Sequence, residues 1–190
     1  ISIMAFNLQQ FWDERYKQQT EPFEWYLNFQ HIQQITSQLK PESEILIVGA
    51  GTSRIPYQLY DMGFKNIHMI DFSKYAQSAM QKYVNERQKM IYYVGDFLNF
   101  EFQKQYDFIF DKGVLDCILS SPSEPMKILT DFTKQIKALL KQDGQWIDIS
   151  FDDERDDDLE LVAPDLVVKS QEIIVQMIAN PIKKIFYLYE

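Results

Sequence analysis

The chain predicts an α/β protein with a Rossmann-like, doubly wound, seven-stranded and mostly parallel sheet. Helices cover both faces, and the C-terminal strands form an antiparallel pair. Three observations carry this reading. A short apolar run without alternation at 45–48 reads as a strand covered on both faces, and 67–70 reads as a second strand. They alternate with stretches whose apolar residues recur at helical spacing. The first run enters Gly49-Ala50-Gly51, and the next ends in a carboxylate, Asp71, as in a βα turn that passes close to a ligand.

Two helices open the chain, over 7–17 and 27–39. In the second, Phe29, Ile32, Ile35 and Leu39 share one face, and Pro41 closes it. Strand 45–48 leads to a helix over 53–62, where Pro56 is tolerable only in the first turn and Gly63 ends the element. Strand 67–70 runs into Asp71, and a helix over 73–86 takes Ser73 as its N-cap. A third strand, 90–94, precedes Gly95-Asp96-Phe97, and a fourth spans 106–111. Met126, Leu129, Phe132, Ile136, Leu139 and Leu140 mark a long amphipathic helix. Asp143-Gly144 is a turn into a fifth strand, 145–150. Two further β-like runs, near 166–175 and 182–189, are parted by Asn180-Pro181, whose tight turn makes them antiparallel. With no repeat or low-complexity linker, residues 1–190 read as one domain: 1–40 a helical lid, 41–190 the Rossmann-like core.

Composition narrows the function. At 46% hydrophobic residues the chain is globular and not disordered. A single cysteine, Cys117, excludes an intrachain disulfide framework and fits a reducing compartment. No apolar run approaches the roughly 20 residues of a membrane helix, so no membrane partner is expected. The segment 1–7 has neither a basic n-region nor a long h-region, so no secretory signal is expected and a cytoplasmic setting is. A net charge of −9 repels phosphate backbones, which excludes nucleic acid as a first choice of partner. It would steer a basic protein substrate favourably, although acidity also simply keeps a chain in solution. The acidic run 152–158 lacks the Asp-x-Asp-x-Asp-Gly loop with its closing Glu and reads as a solvated loop. His31 and His68 lie in separate elements, and nothing resembles a metal cluster or a Ser-His-Asp set.

The residues with chemistry cluster after the strands. Gly49 and Gly51 let the backbone turn sharply beside a ligand, and an acid some 20 residues on, Asp71, suits the hydroxyls of a ribose. A dinucleotide fingerprint wants a third glycine, where this chain has Arg54. That disfavours NAD and FAD and suits S-adenosylmethionine, whose adenosine carries no diphosphate; a strand-to-helix turn with no ligand is the plain alternative. Asp96 can accept from an adenine amino group while Phe97 packs on the ring. Asp111 and Asp116, after the fourth strand, can orient an amine or take up its proton, and Asp116 can equally cap a short helix. Lys112 can point into the same site or into solvent. Trp12, Tyr16 and Trp25 belong to aromatic-rich stretches that suit a lid over a sulfonium, or simply cover a sheet face.

These segments together are similar to a known family. Trp12-Asp-Glu-Arg15-Tyr16, Phe23-Glu-Trp25-Tyr26, Ile-Leu-Ile-Val-Gly49-Ala-Gly51-Thr-Ser53, Asp71-Phe72-Ser73 and Asp111-Lys-Gly-Val-Leu-Asp116 resemble one branch of the class I, seven-β-strand methyltransferases. That branch contains the methyltransferase-like proteins acting on lysines of translation elongation factor 1-alpha. Many class I enzymes carry an acid two residues before the first glycine; this chain has Ile47 there, and the branch lacks the acid too. The resemblance implies a protein-lysine methyltransferase using S-adenosylmethionine held by Trp12, Tyr16, Trp25, Gly49, Asp71, Asp96, Phe97 and Lys112. It departs after the fifth strand, where a short acidic segment leaves little room for a substrate-binding helix. A methyltransferase fold kept as a silent structural subunit is the alternative.

Overall fold

The computed structural model describes residues 9–27, 29–33, 36, 39–151, 155–165, 168–176 and 181–189. Five strands form a parallel sheet: β1 (Glu44–Val48), β2 (Asn66–Asp71), β3 (Ile91–Val94), β4 (Tyr106–Lys112) and β5 (Leu140–Ser150). Their spatial order is β3-β2-β1-β4-β5, so the winding reverses between β1 and β4. Ligands of such sheets lie at the carboxyl ends of the strands beside that reversal. Backbone ladders add β6 (Val168–Gln176) and β7 (Pro181–Tyr189): β7 lies antiparallel beside β5, and β6 antiparallel beside β7. The tight turn expected at Asn180 lies outside the described residues.

Seven helices surround the strands among the described residues: α1 (Gln9–Gln18), α2 (Phe29–Ile32), α3 (Ile55–Asp61), α4 (Lys74–Asn85), α5 (Val114–Leu119), α6 (Pro125–Leu139) and α7 (Arg155–Val162). The strands explain the two layers. Alternate residues point to opposite faces, so a run apolar throughout must be covered twice. Ile45, Ile47, Ile67, Met69, Phe110 and Ile147 face one layer, with Ile55 and Leu59 of α3 and Met80 and Val84 of α4. Leu46, Val48, Ile70, Ile109 and Trp146 face the other, with Leu115 of α5 and Leu129, Phe132, Ile136 and Leu139 of α6.

Four local expectations change. Of the helix expected over 27–39, the described residues hold the single turn α2. Just beyond it the Thr36 hydroxyl donates to the Gln33 carbonyl at 3.0 Å, a local bond that competes with a helical ladder. Ser73 does occupy the N-cap of α4, but its hydroxyl reaches across to Asp13 Oδ1 instead of capping. The Asp143-Gly144 turn falls inside β5. Tyr106 pairs with Leu140 and Phe108 with Gln145, so 141–144 bulge out around Asp143 at φ +63°. The acidic run is not simply a loop: from Arg155 it is α7, held by Leu159, which is fully buried under the second layer. Residues 152–154 lie outside the described ones.

Phe132 sits at the centre of that layer, 2% exposed, with ring centroids 5.0 Å from Phe97 and 5.9 Å from Trp146. Phe132→Ala should destabilise the fold by about 3–5 kcal/mol, the usual cost of an emptied aromatic core site, read as a lowered urea midpoint.

Candidate active site

The site begins at the turn after β1. Gly49 and Gly51 adopt φ of +61° and +50°, where an L side chain is strained. A Cβ on Gly49 would overlap Val114, and one on Gly51 would overlap the Tyr16 hydroxyl. Asp71, at the end of β2, locks this turn. Its Oδ2 accepts the Gly51 N–H at 2.9 Å and its Oδ1 the Ser73 N–H at 2.8 Å. The side chain is only 8% exposed, and burial pushes its carboxyl up to about 6 although both amides pull the other way.

The N-terminal segment is clipped onto this turn. Trp12 and Tyr16 of α1 stack at 5.7 Å, and Trp25 meets Trp12 edge-on at 6.0 Å. The Arg15 guanidinium lies 5.0 Å from the Phe23 ring and 5.1 Å from that of Trp25. The Phe23 N–H donates to the Thr52 carbonyl at 3.1 Å. The Glu24 carboxylate accepts the Ser53 hydroxyl and, at 2.5 Å, the Arg54 N–H, and stands 3.3 Å from Lys112 Nζ. Lys112 Nζ also donates to the Trp25 carbonyl at 2.8 Å, and burial draws its ammonium below the usual lysine range. Its side chain lines the cavity, with the ammonium held between the Glu24 carboxylate and the Trp25 carbonyl.

A cavity of about 770 Å³ opens over the carboxyl ends of the strands. Of the residues singled out in the sequence, Trp12, Tyr16, Trp25, Gly49, Asp71, Phe72, Asp96, Phe97, Lys112 and Asp116 line it. Gly51 lines a smaller pocket of about 30 Å³ beside it, with Tyr16, Trp25 and Lys112. Asp96 is exposed and caps the single 3-10 turn Phe97–Asn99, accepting the Leu98 N–H at 3.1 Å. Phe97 is buried against Phe132 and shows the cavity one side of its ring.

The two acids at and after the end of β4 separate. Asp116, in the first turn of α5, lines the cavity. Its Oδ2 accepts the Tyr26 hydroxyl at 2.8 Å and the Phe151 N–H at 3.1 Å, and its Oδ1 accepts the Ser150 hydroxyl at 2.5 Å. Asp111 is fully buried and does not line the cavity. It shares a face with Ile109, stands in register with Asp148 of β5, and accepts the Trp146 indole N–H at 2.7 Å. Burial pushes its carboxyl up to about 6. Asp111 is therefore not brought to the cavity beside Asp116. Tyr26 and Phe151 also line the cavity, and sequence reasoning gave neither a role there.

The cavity wall carries the carboxylates of Asp71, Asp96 and Asp116, while its lysine is matched by Glu24. Such a wall favours cationic ligands over a diphosphate. Among the described residues no group of three His, Cys, Asp or Glu side chains is placed to hold a metal ion. Among them, too, no helix is long and apolar enough to cross a membrane.

Fold and cavity together define a doubly wound α/β protein with its site at the carboxyl ends of the strands, and comparison with known proteins makes this specific. Residues 46–147, just over half of the chain, match the family model described as a methyltransferase domain. The chain belongs to that family, which points to S-adenosylmethionine as its cofactor. It is 28% identical over 137 residues to mouse EEF1A lysine methyltransferase 4, covering 70% of this chain and 54% of that protein. It is 27% identical over 154 residues to bovine eEF1A lysine and N-terminal methyltransferase, covering 78% of this chain and 22% of that protein. The chain therefore spans about half of the first relative and about a fifth of the second. Among solved structures it resembles the N-methyltransferase NodS of Bradyrhizobium japonicum bound to S-adenosyl-L-homocysteine. That match has a TM-score of 0.71 at 14% identity and covers 94% and 97% of the two chains. Magnesium protoporphyrin IX methyltransferase of Synechocystis with bound cofactor gives 0.67 at 12% identity, covering 98% and 93%.

Asp71 predicts a pH dependence. Its carboxyl titrates near 3.8 when unfolded and near 6 when folded, so its contribution is fully present below pH 4 and is lost as pH rises through 6. Urea midpoints of the ligand-free protein should fall between about pH 4 and 6, and Asp71→Asn should flatten that decline, leaving the part that belongs to Asp111.

Proposed function

We propose that the chain methylates a lysine amine of a protein, with an eEF1A-like protein as acceptor. The observation that carries this is the placement of Asp116. A carboxylate held by three donors faces the same cavity onto which the glycine turn and Asp71 open. The names of the curated relatives support the choice of acceptor.

The residues present fit the cofactor. Each Asp71 oxygen accepts one backbone N–H and keeps a further lone pair for a ribose hydroxyl. Turns free of side chains at Gly49 and Gly51 admit the rest of the molecule, with Phe72, Asp96 and Phe97 toward the adenine. The faces of Trp12, Tyr16 and Trp25 suit a cationic sulfur. Bound there, S-adenosylmethionine supplies an electrophilic methyl carbon on a sulfonium. The protein then needs to align a neutral amine with it, and alignment is worth about 7–11 kcal/mol of barrier. Asp116 orients the amine and takes up its proton. In this reading residues 1–40 act as a lid and 41–190 as the catalytic core, a seven-stranded fold that β6 and β7 complete.

Asp71→Asn should keep the fold and weaken S-adenosylmethionine binding by about 10- to 100-fold in calorimetry, the worth of a charge-assisted hydrogen bond. With labelled methyl donor and recombinant eEF1A, Asp116→Asn should slow transfer by at least about 100-fold. Mass spectrometry of the labelled product should place the mark on a lysine. Absence of cofactor binding to the unaltered protein would overturn the reading.

A further inference from the structure

Tyr26 and Phe151 lie outside the set that holds the cofactor, yet both line the cavity beside Asp116. Tyr26 has a backbone φ of +63°, a region that bulky residues rarely enter. Its ring lies over Gly113, where a Cβ would come within 3.2 Å of Tyr26 Cε2. Its hydroxyl donates to Asp116 at 2.8 Å, and burial, reinforced by the Asp116 charge, keeps the phenol protonated. A side chain so seated and bonded is fixed.

Phe151 contrasts with it. The residue follows the last position of β5, and 58% of it is exposed. Its backbone N–H donates to the same Asp116 oxygen, so the backbone is tied to the site while the ring projects past it. The two rings stand 6.3 Å apart, tilted by 42°. A methylene chain flanked by two rings needs about 7–8 Å, twice a carbon–carbon contact. The gap is therefore short by about 1 Å, and the exposed ring is the one able to give.

We propose that Tyr26 and Phe151 are the jaws of an entry for a long, unbranched alkyl amine. Tyr26 is the fixed jaw and Phe151 the jaw that swings, and Asp116 at the inner end receives the ammonium head. The proposal rests on the methyl-transfer reading above and deepens it. The entry selects a lysine side chain by stem and charge together. An α-amine lacks the methylenes that fill the space between the rings, and a neutral alkyl chain leaves the carboxylate without a cation. Both jaws act as positioning residues, aiming the amine without taking part in bond making.

The test is a titration followed by NMR of the aromatic rings, with the protein loaded with S-adenosylhomocysteine. Three probes are compared: Nα-acetyl-lysine methylamide, its norleucine counterpart, and glycine methylamide. The lysine probe should shift the Tyr26 and Phe151 resonances and bind at least about tenfold more tightly than the other two. Asp116→Asn should abolish the preference for lysine over norleucine. Phe151→Ala, an exposed substitution that spares the core, should weaken the lysine probe several-fold, and it decides the matter where Asp116→Asn does not fold. Normal loading with S-adenosylhomocysteine but unmoved rings, or equal binding of all three probes, overturns the entry and leaves the methyl-transfer reading standing. Failure to load overturns both.

Discussion

A single buried carboxylate organises this molecule. Asp71 ends β2, and its two oxygens take the Gly51 N–H from the turn after β1 and the Ser73 N–H ahead of α4. Two βα connections are thereby fixed to one side chain at the edge of the topological reversal. Burying a carboxylate is costly unless its lone pairs are met, and here two backbone amides meet them in part. Amides cannot move without moving the turns, so the floor of the cavity is rigid before any ligand arrives. The glycines serve the same end. With a side chain at 51 the turn would collide with Tyr16, and with one at 49 it would collide with Val114. The turn, α1 and α5 can then close on one another around the same point.

The N-terminal segment is ordered by contacts with the core more than by its own regular structure. Among the described residues between α1 and α2 there is no helical or strand ladder, and Phe23, Glu24 and Trp25 borrow partners from Thr52, Ser53, Arg54 and Lys112. Glu24 does two things at once. It satisfies the exposed N–H at the start of α3, and it neutralises the only lysine among the described residues of the cavity wall. The second effect leaves Asp71, Asp96 and Asp116 to set the sign of the potential inside. The same segment thus makes the cavity attractive to cations.

Much of the fold was legible because burial on both faces leaves a local signature. β1 is apolar at every position from Ile45 to Val48, and α6 shows its stripe at helical spacing. The glycine turn and Asp71 were legible because turn geometry restricts residue type. What escaped was set by distant partners or by short length. α5, of six residues, is too brief to show a period, and α7 hides its one fully buried residue, Leu159, in an acidic run. The role of Lys112 depends on Glu24, far away in the chain. Asp111 and Asp116 were equivalent on paper, yet one signal separates them. Asp111 lies two residues after Ile109 on a strand, so the two share a face, and that face is core. Asp116 follows the chain's departure from the strand at Gly113 and escapes that constraint.

The same acids that make the cavity a poor home for anions also strain the ligand-free protein at neutral pH. Asp71 ionises with difficulty because water is excluded, and two amides only partly compensate. Any ligand that offers hydroxyl donors to its remaining lone pairs, or a positive centre nearby, relieves that penalty and stabilises the fold by the same amount. Affinity and stability are therefore coupled through one side chain. A protein that held Asp71 comfortably ionised without a ligand would gain stability and lose part of its drive to bind. Asp116 shows the opposite solution. Tyr26, Ser150 and the Phe151 N–H already surround it, so it stays committed to the wall and exposed to the cavity together. The first acid is met by two backbone amides, and the second by two hydroxyls and a third amide.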